Sequence, residues 1–275
     1  MKKRFKILGI PFDAVSEEDA LKVCLKALKI KFRKAFFIAT PNPEMLLAAK
    51  NNKKFKTILR NSDLNIPDGI GIIWANYFLL KANKYKSKIF KILFGIISLF
   101  KLLINKGKLR SALPMRVTGT DLMHSFCQKI DGNTPIFLLG AQKEVSEKVE
   151  NTLTVDYGVN IVGVNSSAAT TINDFYLRNL INESKAQVLF VAFGAPKQEL
   201  WLNRNLSHLK HVKLAIGVGG AFDFISGHVK RAPAWMRKIG LEWLFRLLIQ
   251  PSRIKRIYNA TIRFPYQVIK SSFQN

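Results

Sequence analysis

Acid and cysteine are scarce in this chain, and each scarcity excludes something. Only 18 of 275 residues are Asp or Glu, and only two are Cys. Cys24 and Cys127 are too few and too far apart to build a disulfide framework or a zinc site, so they read as buried thiols of a reducing compartment. His208 and His211 lie three apart on a helix-like stretch, but no acidic residue or Cys stands near them, and His124 and His228 are equally isolated, so no metal site is expected. No Asp-x-Asp pair is present to hold a divalent cation. The nearest acidic run, Glu17-Glu18-Asp19, has a simpler use at a helix start, where partial positive charge gathers. Signature loops are missing too: there is no G-x-x-x-x-G-K-[ST], no G-x-G-x-x-G after a strand, no H-E-x-x-H and no G-x-S-x-G. The start, MKKRFKILGIPFDAV, turns apolar only briefly before Pro11 and Asp13, too short for a signal-peptide core, which places the chain in the cytoplasm. Internal repeats and low-complexity tracts are absent.

Positive charge is what the chain has in excess. Forty-four Lys and Arg leave a formal net charge of +26, which calls for an anionic partner: a phosphorylated ligand, a nucleic acid or an anionic membrane. The distribution discriminates among them. Ser111 to Gly227 holds ten basic and ten acidic residues, whereas Lys81 to Arg110 holds nine basic residues and no acid, and His228 to Asn275 holds ten basic residues opposed by Glu242 alone. A neutral body with two basic, apolar-rich segments reads as a peripheral membrane protein. The alternative is a basic nucleic-acid-binding protein without enzymatic activity, which the basic first 60 residues keep in view.

Taken in order, Phe5 to Ile10 reads as a first strand, and Ser16 with Asp19 three residues on forms a capping-box start for a helix to about Leu28. Ala35 to Ala39 and Leu64 to Pro67 are strand-like runs, each breaking into a polar turn and then a helix pattern. Between its prolines Asn42 must be extended, and Pro43 opens the next helix. Ile89 to Ile104, IFKILFGIISLFKLLI, is the most apolar run and is flanked by lysines. As a helix its 16 residues span about 24 Å, short of the roughly 30 Å hydrocarbon core. It therefore reads as a helix lying in one leaflet, with Lys91 and Lys101 snorkelling, or else as a core helix. Pro135 to Leu139, Asn160 to Val164, Gln187 to Ala192 and Lys213 to Val218 read as further strands. Helix patterns fall between them at Val145 to Leu153, Ile172 to Ser184 and Glu199 to Leu206.

This alternation predicts an α/β fold: a mostly parallel, Rossmann-like sheet with helices on both faces. The expected organisation is a catalytic body over residues 1–230, interrupted by a basic apolar insert at about 81–113. A basic helical, membrane-binding appendage over 231–275 follows, with Trp, Phe and Tyr beside Arg and Lys. In such sheets ligands bind beyond the carboxyl ends of the strands. Four polar turns fall there: TPNPE at Thr40, PDGIG at Pro67, FGAPKQE at Phe193 with Lys197 and Gln198 at a helix start, and GVGGAFDF at Gly217. In the last, Gly219 and Gly220 let backbone amides approach a phosphate or sugar and Asp223 offers an acceptor. Each has a plainer use: Asp68 and Asp223 as helix caps, Asn42 and the glycine pair as turn residues.

Together with RVTGTDL at Arg116, FLLGA at Phe137 and RAPAWMRKIGLEWLFRLLIQPSRIKR at Arg231, these turns make seven ordered blocks, from about Thr40 to Arg256. In them the chain resembles the WecG/TagA/CpsF family of bacterial glycosyltransferases. The resemblance implies a metal-independent, inverting, cofactor-free enzyme on the inner face of the plasma membrane. It would move an N-acetylmannosamine-type or related sugar from UDP to a polyprenyl-diphosphate-linked sugar in cell-envelope polysaccharide synthesis. By the same resemblance Asp68 is the general base, with Thr40 and Asn42 beside it. Arg116, Gln198 and Asp223 contact substrate by the same resemblance, beside Gly219 and Gly220 as read from their loop, and Arg246, Arg253 and Arg256 meet the lipid diphosphate. The implied partners are the UDP-sugar, the lipid-linked acceptor and an anionic membrane surface, not nucleic acid. The chain departs from the family at two places. The insert separates the PDG block from the Arg116 block, and Asn165-Ser166-Ser167-Ala168-Ala169 offers no aromatic where members often carry one suited to stacking on uracil.

Overall fold

The computed structural model describes residues 4–30, 34–104 and 117–273. Its first departure from expectation is at the start. The run Phe5 to Ile10 is not one strand but the two arms of a hairpin, β1 (Arg4–Ile7) and β2 (Ile10–Asp13), paired antiparallel. Leu8 and Gly9 both take positive φ, 49° and 81°, which reverses the chain within the run. The hairpin is a separate two-stranded sheet. Asp13, nearly fully buried, fastens it to the body by accepting from Arg4 Nε at 2.7 Å and from the Asn65 amide at 2.9 Å.

Next comes α1 (Glu17–Lys29), opened by the expected capping box between Ser16 and Asp19. Then follow β3 (Phe36–Ala39), α2 (Pro43–Asn51), α3 (Lys53–Asn61), β4 (Leu64–Asn65), α4 (Ile70–Ala82) and α5 (Lys88–Ile104). The second half runs α6 (Gly119–Lys129), β5 (Ile136–Gly140), α7 (Lys143–Tyr157), β6 (Ile161–Asn165), α8 (Thr171–Glu183), β7 (Val188–Ala192), α9 (Lys197–Asn205), β8 (Leu214–Gly217) and α10 (Ala221–Ile225). It ends with α11 (Ala234–Ile239), α12 (Glu242–Ile249), α13 (Ile254–Tyr258) and α14 (Phe264–Ser271).

Six strands form one sheet in the order β4-β3-β8-β7-β5-β6, and every pair in it is parallel. Successive side chains of a strand point to opposite faces, and the core divides accordingly. Phe137, Leu139, Leu189, Val191 and Ala215 pack on one face with α2, α3, α4, α9 and α14. Ile136, Leu138, Val188, Phe190, Leu214 and Ile216 pack on the other with α1, α6, α7 and α10. Both faces are covered, as the continuous apolar strands require. Cys24 and Cys127 lie inside the second layer, and burial pushes the Cys127 thiol up to about 12, the state of an inert interior thiol.

The strand order brings the carboxyl ends of β3, β8, β7 and β5 side by side although they come from distant parts of the chain. The last helix, α14, buries Phe264, Val268 and Ile269 in the layer that also holds Trp74 and Phe78 of α4. None of the helices among the described residues is long and apolar enough to cross a membrane.

Candidate active site

At the end of β3, Thr40 is almost wholly buried and its Oγ1 donates to the Gly217 carbonyl at 3.3 Å, tying β3 to β8 across the sheet edge. Gly119 at the start of α6 closes on the same point: a Cβ there would lie 3.4 Å from the Val218 carbonyl oxygen and 3.6 Å from Thr40 Oγ1. Two residues on, Asn42 is extended (φ −117°, ψ 173°), and its Oδ1 caps α2 by accepting from the Met45 amide at 3.0 Å. The cap uses only the oxygen branch of the amide, so the Nδ2 branch is chemically suited to donate to a ligand.

Asp68 follows β4. Its backbone N–H donates to the Pro41 carbonyl at 3.2 Å, so the two polar turns are stitched together. The N-cap of α4 is Gly69, at φ +97°, which has no side chain to cap with. The Asp68 carboxylate lies in the field of the Arg246 guanidinium, which comes from the far end of the chain.

Behind the glycine loop sits Gln198. Its Oε1 accepts from the Gly219 amide at 3.1 Å and its Nε2 donates to Glu199 Oε1 at 2.8 Å. A Cβ at Gly217 would come within 2.7 Å of Gln198 Nε2, so only glycine lets this side chain brace the loop. Glu199 has no exposure, its Oε2 has no hydrogen-bond partner in the protein, and burial pushes its carboxyl up to about 7 against the opposing pull of the Gln198 hydrogen bond. Below about pH 7 the charge-free form is the one this site favours.

In front of the loop, Gly219 takes φ +52°, and a Cβ on Gly220 would lie 3.2 Å from Arg246 Nη2 and 3.4 Å from Asp223 Oδ2. The missing side chain is what lets cation and carboxylate both come close to this backbone. Asp223 lies within α10, whose N-cap is Gly220. Arg246, from α12, lays its guanidinium 4.7 Å over the Phe224 ring, donates Nε to Gln250 at 3.4 Å, and leaves Nη2 buried without a partner. Burial lowers its pKa most; Asp223, Glu242 and Asp68 oppose that and Arg256 adds to it. Arg253 is lowered to about 10, by burial and then by repulsion from Arg246 and Arg256. Arg256 reaches α2, binding Glu44 through Nε at 2.9 Å and Nη2 at 2.6 Å. Three guanidiniums are thus held in one another's field, an arrangement that an oligophosphate would stabilise.

Beside this cluster opens a cleft of about 400 Å³ at the carboxyl edge. Its walls are Gln142 after β5, Ser166 to Ala169 after β6, Phe193 and Lys197 after β7, then Asp223, His228 and Gln250. The segment noted for its lack of an aromatic is therefore one whole wall. Gln142 lines the cleft as the N-cap of the 15-residue α7 and makes no side-chain cap, so its side chain does not satisfy the first amides of that helix. Gln142, His228 and Gln250 carried no signal in the sequence; they lie on unrelated loops that only the strand order collects. Arg116 lies outside the described residues. Of the other expected site residues, Asn42 caps α2, Thr40, Gln198 and Gly219 brace the β3–β8 edge, and Asp68, Gly220, Asp223 and the three arginines gather around the cation cluster.

A parallel sheet with a crevice at its carboxyl edge, lined by Lys197 and Asp223 and set beside a cluster of three arginines, is the kind of site that suits an enzyme of phosphorylated substrates. The particular kind follows from comparison: the family model of the WecG/TagA/CpsF glycosyl transferases matches residues 5–108 and 96–275. The chain belongs to that family and is a glycosyltransferase. The two matched stretches meet over α5, the place where the sequence carries its basic apolar insert. Membership implies a nucleotide-sugar donor, a lipid-linked acceptor and a role in cell-envelope polysaccharide synthesis. It replaces the alternative of a nucleic-acid-binding protein without enzymatic activity.

Proposed function

We propose that this glycosyltransferase moves an N-acetylmannosamine-type sugar, or a related hexosamine or uronic acid, from UDP to a polyprenyl-diphosphate-linked sugar, with inversion, at the inner face of the plasma membrane. The observation that carries this reading is Arg246 held in the field of both Asp68 and Asp223, with Asp223 lining the cleft. In the reaction the acceptor hydroxyl gives its proton to the Asp68 carboxylate while its oxygen bonds to the anomeric carbon. The bond from that carbon to the UDP oxygen breaks on the opposite face, and its electron pair leaves with the diphosphate.

Negative charge therefore grows on the leaving group, and stabilising it is the largest demand on the protein. Lys197 and the amide donors of the α7 N-terminus suit that task on the cleft side. Arg253 and Arg256, at the outer rim, suit the acceptor's diphosphate, whose oxygens a guanidinium fork can take in pairs. With Ser166 to Ala169 as one wall, uracil would be held by hydrogen bonds and backbone contacts rather than by a stacked ring. The basic apolar tail would bring the enzyme to anionic lipid.

The test is a panel of UDP-sugars with a short-chain lipid-diphosphate acceptor, products read by mass, for the wild type and Asp68→Asn. One sugar accepted by the wild type, with a loss of about 10² to 10⁴ in rate for the variant, is expected. Full activity of Asp68→Asn would remove Asp68 as the base, and no transfer from any UDP-sugar would overturn the donor assignment.

A further inference from the structure

Helix α5 turns Phe94 and Leu99 onto the core, the Phe94 ring against Tyr77, Phe78 and Tyr85. Three further inward positions are small or polar. Lys91 is buried, its ammonium donating to the Ser272 carbonyl. Ser98 is buried and accepts from Trp74 Nε1 at 2.8 Å. Gly95 fits so closely against α14 that a Cβ would stand 2.6 Å from Ile269 Cδ1. The side it turns outward is apolar: Ile89, Phe90, Ile92, Leu93, Ile96, Ile97 and Phe100 are all exposed, Phe100 at 63%. Hydrogen bonds to Lys91 and Ser98 hold the helix in this rotation, because turning it over would strand both polar groups and drive large side chains into the space that Gly95 leaves.

We propose that this face is a docking surface for an anionic lipid bilayer, with α5 lying in the plane of one leaflet. The proposal rests on the reading that the acceptor is membrane-bound. Its 17 residues make about 25 Å of helix, too short to cross roughly 30 Å of hydrocarbon and suited to lying flat. The charges around it choose the occupant. Lys84, Lys86, Lys88 and Lys101 are exposed along its length, and no Asp or Glu occurs from Lys81 to Arg110. A second copy of the chain docking by two-fold symmetry would set this cationic border against itself, whereas anionic headgroups complement it. The neighbouring C-terminal run continues the surface. Ile254, Tyr258, Ile262 and Tyr266, spaced by four, are each more than half exposed, and Lys255, Arg263 and Lys270 stand exposed beside them.

The full-length protein is floated with phosphatidylglycerol-rich vesicles and with pure phosphatidylcholine vesicles, as wild type and as the double variant Leu93→Glu, Ile97→Glu. The wild type should float with the anionic vesicles, and the variant should lose about tenfold or more in vesicle affinity. Its thermal unfolding and its transfer to a water-soluble acceptor analogue should stay unchanged. In a second arm Ile97→Cys carries an environment-sensitive fluorophore, attached selectively because Cys24 and Cys127 are buried; its emission should shift to the blue on anionic vesicles. Equal flotation of wild type and variant with no blue shift would overturn the proposal. So would a solution dimer that the double variant dissociates while vesicle binding persists. Failure of the wild type to transfer any sugar while the vesicle arms succeed would strike the transferase assignment alone.

Discussion

At the scale of single residues, the site is decided by who stands behind whom. Gln198, expected as a substrate contact, has both ends of its amide engaged, one with the Gly219 amide and one with Glu199, and so braces the loop from behind. Glu199 was not singled out in the sequence, yet burial strongly perturbs its carboxyl. Its folded value of about 7 lies above the ordinary 4.5. The folded state therefore holds its proton more tightly than the unfolded chain, and the stability this confers is full below about 4.5 and is lost as pH rises toward about 7. Glu199→Gln keeps the acceptor for Gln198 without a titrating group. The wild type should lose on the order of 3 kcal/mol relative to this variant across that window. Denaturant unfolding at a series of pH values checks it; parallel curves for the two proteins would show that Glu199 is not held neutral.

Asn42 separates two roles in one side chain. Asn42→Ala removes the oxygen that caps α2 and should cost about 1 kcal/mol, whereas Asn42→Ser restores an acceptor and most of that stability. If the Nδ2 branch meets the sugar, transfer stays low in both variants. Activity that recovers with Asn42→Ser would reduce Asn42 to a cap.

At the scale of elements, glycines set the distances. Gly217→Ala would place a methyl within 2.7 Å of Gln198 Nε2, forcing that side chain off its bond to Gly219 and the loop out of register. A loss of about 1 to 3 kcal/mol in stability should come with a larger loss of transfer than Gly227→Ala causes outside the cleft, where φ is positive but nothing lies within 4 Å of a Cβ. Thermal melts and kinetics on both variants test this. Much at this scale was readable in advance. The capping box at Ser16, the extended Asn42 between prolines and the strands of the second half all follow from local chemistry. The hairpin at the start did not, because Leu8 adopts positive φ without the Asn-Gly or Asp-Gly pair that usually announces such a turn.

At the scale of the whole molecule, the question is where a +26 chain puts its charge. Beside the cleft, partly buried Arg246 and Arg253 converge with the more exposed Arg256, and around α5 exposed lysines border an apolar face. Two uses of positive charge should respond differently to salt. Vesicle binding through the exposed border should weaken steeply as ionic strength rises, because exposed charges are screened over about 8 to 10 Å. The fold of the buried cluster should not. Flotation across a salt series beside thermal melts in the same buffers gives the comparison, and salt-insensitive flotation would assign binding to apolar contact alone.

By itself the sequence determined the alternation of strands and helices, the two-sided core and the family, because periodicity, caps and ordered motif blocks are local properties of the chain. Tertiary structure alone decided that Arg246 reaches Gly220 and the field of Asp68, that Gln142, His228 and Gln250 share a wall, and that α5 buries Lys91 while exposing Phe90 and Phe100. Those facts depend on a strand order built from distant pairings and on the close seat that Gly95 makes against Ile269. No local pattern encodes either one, since each is settled only when the partner surface is in place.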